Sequence, residues 1–435
     1  MKFIKIKIIS FCLILLMLGT CFLCQATNPT ITSNKIESKT TNTNNANANI
    51  VDMIQQIDDN LVYYYLSNLG KYGIRYTGNL KCQFAGDYIY NEFEKMGLFV
   101  EFHDWNFEGF KSRNVVATLN GSDPKSNAVF LITAHYDTVE NSPGANDDGS
   151  GVAAVMAIAS VCSKYSFNHT IRFICFSGEE VGTYGSLSYA RDAYENEDNI
   201  IAVLNLDIIG YANSDYGGRI IRFFHETRSS WIAEFATEIS EKYIEIVNMT
   251  VENMPNYRGH DGQAFLDYGY DGVWIAEHDG HSWGHSPNDT MEHINLTYLT
   301  KATKFMLAVL VELANRPIDL QVILKTPREG TIYFLKRKIP ISFARFYFSK
   351  LRGTTIIFGK TTASAEVRSS EEIKFVVFCV DNNFVYWDSN PPYEWDFNTR
   401  YYSTNGRYTL RVYAYTYSGQ FASDEMDIIM FSRQK

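Results

Sequence analysis

Thiols are scarce in this 435-residue chain, and those present are badly placed for cross-linking. Of seven cysteines, Cys12, Cys21 and Cys24 fall in the first 25 residues, while Cys82, Cys162, Cys175 and Cys379 are widely scattered with no C-x-x-C spacing. That excludes a disulfide framework and a zinc-thiolate site. Cys162 and Cys175 lie in apolar runs, where a free cysteine acts as a small buried hydrophobe. Proline (10) and glycine (28) are too few for a collagen-like or wholly disordered chain that is 46% apolar. Positive charge is also short: 39 Lys and Arg stand against 49 Asp and Glu, a net charge of -10. Loss of the first 25 residues, which hold Lys2, Lys5, Lys7 and no acid, would take it to -13. An acidic chain repels phosphate backbones, so no nucleic-acid partner is expected.

What is present begins with an address. Three lysines precede Ile8 to Leu18, a run almost without polar groups, and small residues follow at Gly19, Thr20 and Ala26. Residues 1–25 thus read as a secretory signal peptide, and the protein as secreted or extracytoplasmic. Counted to Leu23, the apolar run approaches the ~20 residues of a membrane span, so anchoring through this N-terminal segment is the alternative. Cys21 after Leu18-Gly19-Thr20 is a fainter signal for lipid attachment. Residues 26–49, mostly Thr, Asn, Ser and Ala, bury too little apolar surface to order and read as a disordered linker.

From residue 50 the pattern is that of folded layers. One helical period runs through Met53, Ile54, Ile57, Leu61 and Tyr64 to Gly70, and another through Phe84, Tyr88, Ile89, Phe93 and Met96 to Gly97. Short apolar runs at 115–119, 129–134, 171–176, 201–206 and 273–276 then alternate with helical patterns at 152–161 and around Trp231, Phe235 and Ile239. This predicts an α/β domain over 50–316, a mainly parallel central sheet with helices on both faces. A last helix, with Leu299, Ala302, Met306, Val309, Leu310 and Leu313 on one side, closes it before Pro317. Beyond, the period drops to two: Tyr408, Leu410, Val412 and Ala414 alternate with Arg407, Thr409, Arg411 and Tyr413. Similar runs at 373–380 and 426–431 predict an all-β sandwich over 318–435, loosely similar to the immunoglobulin-like modules appended to secreted prokaryotic enzymes.

Five separated segments supply metal-ligating residue types, each where a predicted strand ends. They are His135-Tyr136-Asp137, Asp147-Asp148-Gly149-Ser150-Gly151, Gly178-Glu179-Glu180, Asn205-Leu206-Asp207 and His285-Ser286-Pro287-Asn288-Asp289-Thr290. In open α/β sheets ligands bind outside the carboxyl ends of the strands, where distant segments can converge. A lone His or Asp at a strand end is usually a cap or a solvated loop residue, but five together are not explained that way. In order and spacing, over about residues 70 to 315, they resemble the co-catalytic zinc exopeptidase family that includes secreted bacterial leucine aminopeptidases, glutamate carboxypeptidase, the transferrin receptor ectodomain and glutaminyl cyclases.

The resemblance implies two Zn2+ ions held by His135, Asp147, Glu180, Asp207 and His285, with Asp147 shared, and Glu179 as general base. Asp137 and Asp289 would support the ligands from behind, Asp137 by bonding the far nitrogen of His135. It also implies a cis bond between Asp147 and Asp148. Two positions depart from the family pattern: Gly284 stands where many relatives have Tyr, and His260-Asp261-Gly262 stands where they have Ser-Asp-His. His278 and His281 are rivals to His285, whereas His103, His169, His225, His260 and His293 read as ordinary surface or half-buried residues. The function implied is a secreted zinc aminopeptidase acting on peptide substrates, with a cell-surface or polymer contact through the C-terminal domain. The alternatives are a carboxypeptidase, for which Arg258 is the nearest carboxylate-binding candidate, and a receptor-like protein that has lost its metals.

Overall fold

A computed structural model describes residues 47–316, 320–339, 355–369, 371–402 and 406–431. The expected signal peptide and nearly all of the expected linker lie outside these. The chain opens with two helices, α1 (Ala48–Gln55) and α2 (Asp59–Gly70), where the period predicts one. The break falls at Asp58, whose carboxylate accepts the Leu61 N–H at 2.8 Å and starts a new helix. Val62, Tyr65, Leu66 and Leu69 consequently face the core, and Tyr64 is left 48% exposed. Helix α3 (Leu80–Lys95) begins the same way, with the Asn79 side chain accepting from Cys82 N.

The first sheet contains β1 (Phe99–Phe107), β2 (Phe110–Leu119), β3 (Ala128–His135), β4 (Thr170–Phe176), β5 (Asn199–Leu206), β6 (Ile220–His225), β7 (Thr250–Pro255) and β8 (Gly272–Glu277), in the order β1-β2-β4-β3-β5-β8-β6-β7. The central run β4-β3-β5-β8 is parallel, as is β6-β7, and the other pairings are antiparallel. Helices α4 (Gly149–Cys162), α5 (Tyr184–Glu195), α6 (Ser230–Val247), α7 (His260–Leu266) and α8 (Leu296–Asn315) complete this part. Successive strand residues point to opposite faces, so Phe130, Ile132 and Ala134 join one core with α4 and α8, while Val129 and Leu131 join a second with α5 and α7. Burial on both faces explains why β3 reads as unbroken apolar sequence. Helix α4, covered nearly all round, lacks an amphipathic stripe for the same reason.

After α8 the chain forms β9 (Leu320–Thr326), β10 (Ile332–Phe334), β11 (Arg337–Ile339), β12 (Thr355–Phe358), β13 (Lys360–Ser369), β14 (Ile373–Val380), β15 (Asn383–Asp388), β16 (Tyr393–Asn398), β17 (Gly406–Thr416) and β18 (Phe421–Phe431). These make a seven-stranded sheet, β11-β10-β12-β18-β17-β14-β15, and a three-stranded sheet, β16-β13-β9, around a core that includes Phe378, Phe397, Leu410, Val412 and Ile428. The all-β part packs on the edge of the first sheet where the parallel strands start. Arg228 ion-pairs with Asp271 there and reaches Glu329 at 3.0 Å and Asp424 at 3.6 Å, while Lys325 meets Glu197 and Gln321 meets Asn199. No helix among the described residues is long and apolar enough to cross a membrane.

Candidate metal centre

The opposite ends of the same strands carry the candidate site. His135 is the last residue of β3, Glu179 and Glu180 follow β4, and Asp207 follows β5. Asp147 precedes α4, and His285 lies between β8 and α8. Folding brings all six together. The Asp147 carboxylate faces two ways: Oδ1 lies 3.3 Å from His135 Nε2, and Oδ2 lies 3.0 Å from His285 Nε2. Asp207 Oδ1 is 3.6 Å from the same His135 nitrogen, and Glu180 Oε2 is 3.2 Å from His285 Nε2. Two groups of three inward-pointing donors therefore share one carboxylate, His135–Asp147–Asp207 and Asp147–Glu180–His285. Glu179 adjoins both, grouping with His135 of the first and Glu180 of the second, and also with Asp207 and His260.

The supporting contacts are backbone-directed. Asp289 accepts the N–H groups of Asn146 (2.8 Å) and Asp147 (3.0 Å), fixing the loop that carries the shared carboxylate. Asp148 caps α4 through Gly151 N and also accepts from His135 N and Ile208 N, joining the ends of β3 and β5. The Asp147–Asp148 bond is cis, as the resemblance implies. Asp137 lies behind His135. His135 Nδ1 lies nearer its main-chain oxygen (3.2 Å) than its carboxylate (3.6 Å), and a carbonyl can only accept, so Nδ1 donates there and Nε2 is the nitrogen turned to the centre. The carboxylate instead accepts from Glu179 N, Glu180 N and the Thr77 hydroxyl, so it positions the two glutamates.

Two further residues escaped the sequence. Arg75 is fully buried and donates only to carbonyls, those of Gly73, Tyr136, Pro143 and Gly144, tying the segment after β3 to the loop of Asp147. A single Arg between Ile74 and Tyr76 offers no periodic signal. Gly144 belongs to this brace: its φ is +62°, and a Cβ there would lie 2.6 Å from Asp147 O. His260, expected to be an ordinary half-buried residue, is in the centre, with Nδ1 2.7 Å from Asp207 Oδ2 and 3.5 Å from Glu179 Oε1. The other histidines lie elsewhere: His278 bonds Glu252, His281 lies between Asn146 and Trp283, and His103, His169 and His225 bond neighbours in the scaffold. Arg258 is committed to Glu226 (2.7 Å) and Asp267 (3.1 Å).

Electrostatics favour a cation. Burial opposes charge on His135, yet contacts with Asp137, Asp147 and Asp207 hold its pKa well above the ordinary range. The bond to Asp147 lifts His285 to about 9, against burial, while burial pushes the Glu180 carboxyl up to about 8. Imidazoles that retain protons among carboxylates indicate a pocket seeking positive charge. Glu180 Oε1 and Asp207 Oδ1 are moreover buried with no hydrogen-bond partner among the described residues. Orphaned carboxylate oxygens inside two compact donor groups fit metal ions, and a set of imidazole and carboxylate without thiolate suits zinc.

Comparison with known proteins agrees with the geometry. Residues 114–310 match Peptidase family M28, and residues 351–412 match a bacterial Ig domain. A "Probable zinc metalloprotease" of Pyricularia oryzae is 29% identical over 255 residues, covering 48% of this chain and 51% of its own. Aminopeptidase YwaD of Bacillus subtilis is 27% identical over 216 residues, covering 48% and 46%. The chain thus spans about half the length of these curated relatives. Among solved structures, LapB from Legionella pneumophila superposes with a TM-score of 0.57 over 62% of this chain and 75% of that one, at 24% identity, a likeness of fold. Residues 114–310 are thus similar to Peptidase family M28, with zinc metalloproteases and an aminopeptidase among the similar proteins, and a segment similar to a bacterial Ig domain follows.

Proposed function

We propose that the protein is a secreted zinc-dependent exopeptidase, an aminopeptidase that releases N-terminal residues from peptides at a two-zinc centre in residues 50–316. The observation that carries this reading is the Asp147 carboxylate, with one oxygen turned to each of two donor groups. His135, Asp147 and Asp207 would hold one ion, and Asp147, Glu180 and His285 the other. Bound zinc supplies a water of lowered pKa and polarises the carbonyl under attack. Glu179, which groups with the donors but is not needed as a ligand, takes the proton of the attacking water and returns it to the leaving amine. Asp137 aims it by gripping the Glu179 and Glu180 N–H groups.

Arg258 is engaged through Nε with Glu226 and through Nη2 with Asp267, which weighs against its serving as a carboxypeptidase's clamp on a substrate C-terminus. Retention of all five donors weighs against a metal-free receptor. The module over 318–435 is assigned the surface or polymer contact; Trp387, Phe375, Tyr415 and Phe421 stand in a row across β15, β14, β17 and β18, with Trp387 and Phe421 more than half exposed. The test is turnover of free and N-blocked aminoacyl substrates with and without chelator. Activity confined to free amines and abolished by chelation is expected; equal cleavage of blocked substrates, or indifference to chelator, overturns the reading.

A further inference from the structure

His260 has a geometry that neither its sequence context nor the five-donor set requires. It opens α7 with φ +54°, a conformation uncommon for a residue with a side chain. That backbone turns the ring toward the centre. One ring nitrogen reaches Asp207 Oδ2 at 2.7 Å and lies 3.5 Å from Glu179 Oε1. The ring plane is set by stacking on Trp274, with centroids 4.0 Å apart at 27°, and Trp274 in turn stacks on Phe224 at 4.1 Å and 23°. Trp274 also donates its indole N–H to the Asp207 carbonyl at 3.3 Å. Rotation of His260 away from Asp207 would break this stack.

Asp207 is therefore asymmetric. Oδ2 is bound by His260, while Oδ1 is buried without a hydrogen-bond partner among the described residues and faces His135. We propose that His260 is a positioning residue of the centre: its Nδ1–H ties down Oδ2, so Asp207 offers Oδ1 alone to the ion it shares with His135 and Asp147. This inference rests on the two-zinc reading above.

The test separates the hydrogen bond from the ring. His260→Phe keeps the stack and removes the donor, whereas His260→Asn loses the stack but places an amide N–H at the same distance from the backbone as Nδ1. Zinc affinity is read by competition with a chromophoric chelator, alongside kcat and KM on a free aminoacyl substrate. In His260→Phe one of the two ions is expected to bind about 10- to 100-fold more weakly, the usual cost of losing a partner behind a ligand, with kcat reduced and KM held. His260→Asn is expected to recover most of that affinity. Wild type binding two ions beside a His260→Phe variant of unchanged affinity overturns the inference alone, as does equal weakening in both variants. Wild type that binds no zinc overturns the two-zinc reading and the inference with it. If His260→Phe fails to fold, His260→Ala takes its place with the same expected loss and the same overturning result.

Discussion

The two halves of the centre share Asp147 and have similar internal distances, yet they are built from different materials. In the first, the side chains of His135 and Asp207 are 1% and 2% exposed and stand at the ends of adjacent parallel strands. In the second, Glu180 sits in a turn, and His285 lies on a loop with φ +54° and a side chain 61% exposed. The first half is held by a sheet and helices that fold for their own reasons. The second has little besides Asp147 and Glu180 to hold its imidazole, so an ion bound there would help order it. On the two-zinc reading, strands would give one preformed site and a loop one completed by its occupant.

The strongest way to break this comparison is to remove what both halves share. Asp147→Ala opens both donor groups, so zinc measured by mass spectrometry should drop below one ion per chain. Turnover should fall beyond the ~10,000-fold that marks the upper range for loss of a general base. Glu179→Gln belongs to neither half and tests their independence from the base. It should keep two ions while turnover falls about 100- to 10,000-fold; equal zinc loss in Glu179→Gln and Glu180→Ala would refute the division of labour between these neighbours.

The difference between the halves is sharpened by chelator titration of the wild type, which should release zinc in two steps. His285→Ala should abolish the weaker step and leave the tighter one, with part of the activity recovered on adding zinc. His135→Ala should weaken the tighter step. A single step in the wild type would show the halves to be equivalent. The smallest effect is expected at the far end of the sheet. Arg228→Met leaves Asp271, Glu329 and Asp424 facing one another without their cation, so the thermal midpoint should fall by a few degrees with kcat/KM unchanged.

What the sequence made legible follows the same division. The buried strands β2, β3, β4, β5 and β8 were readable because burial on both faces demands unbroken apolar residues. The strands β1, β6 and β7 were not, because their residues are mixed in exposure and carry no single period. The donors could be found because metal chemistry needs particular residue types at strand ends. That the main-chain oxygen of Asp137 lies nearer His135 Nδ1 than its carboxylate does cannot be read from residue types. Arg75 and His260 act through geometry alone: one through carbonyls brought together by folding, the other through a backbone twist and a stack on Trp274. No spacing rule announces such contacts.

The placement of the all-β part has an outcome for where catalysis would face. Its ion pairs and hydrogen bonds meet Glu197 and Asn199 at the beginning of β5, and Arg228, which pairs with Asp271 just before β8, whereas Asp207 and His285 follow the ends of those strands. The two faces lie at opposite poles of the same sheet. The module therefore leaves the mouth of the centre uncovered, and a surface or polymer held through it would compete with substrate for neither donor group.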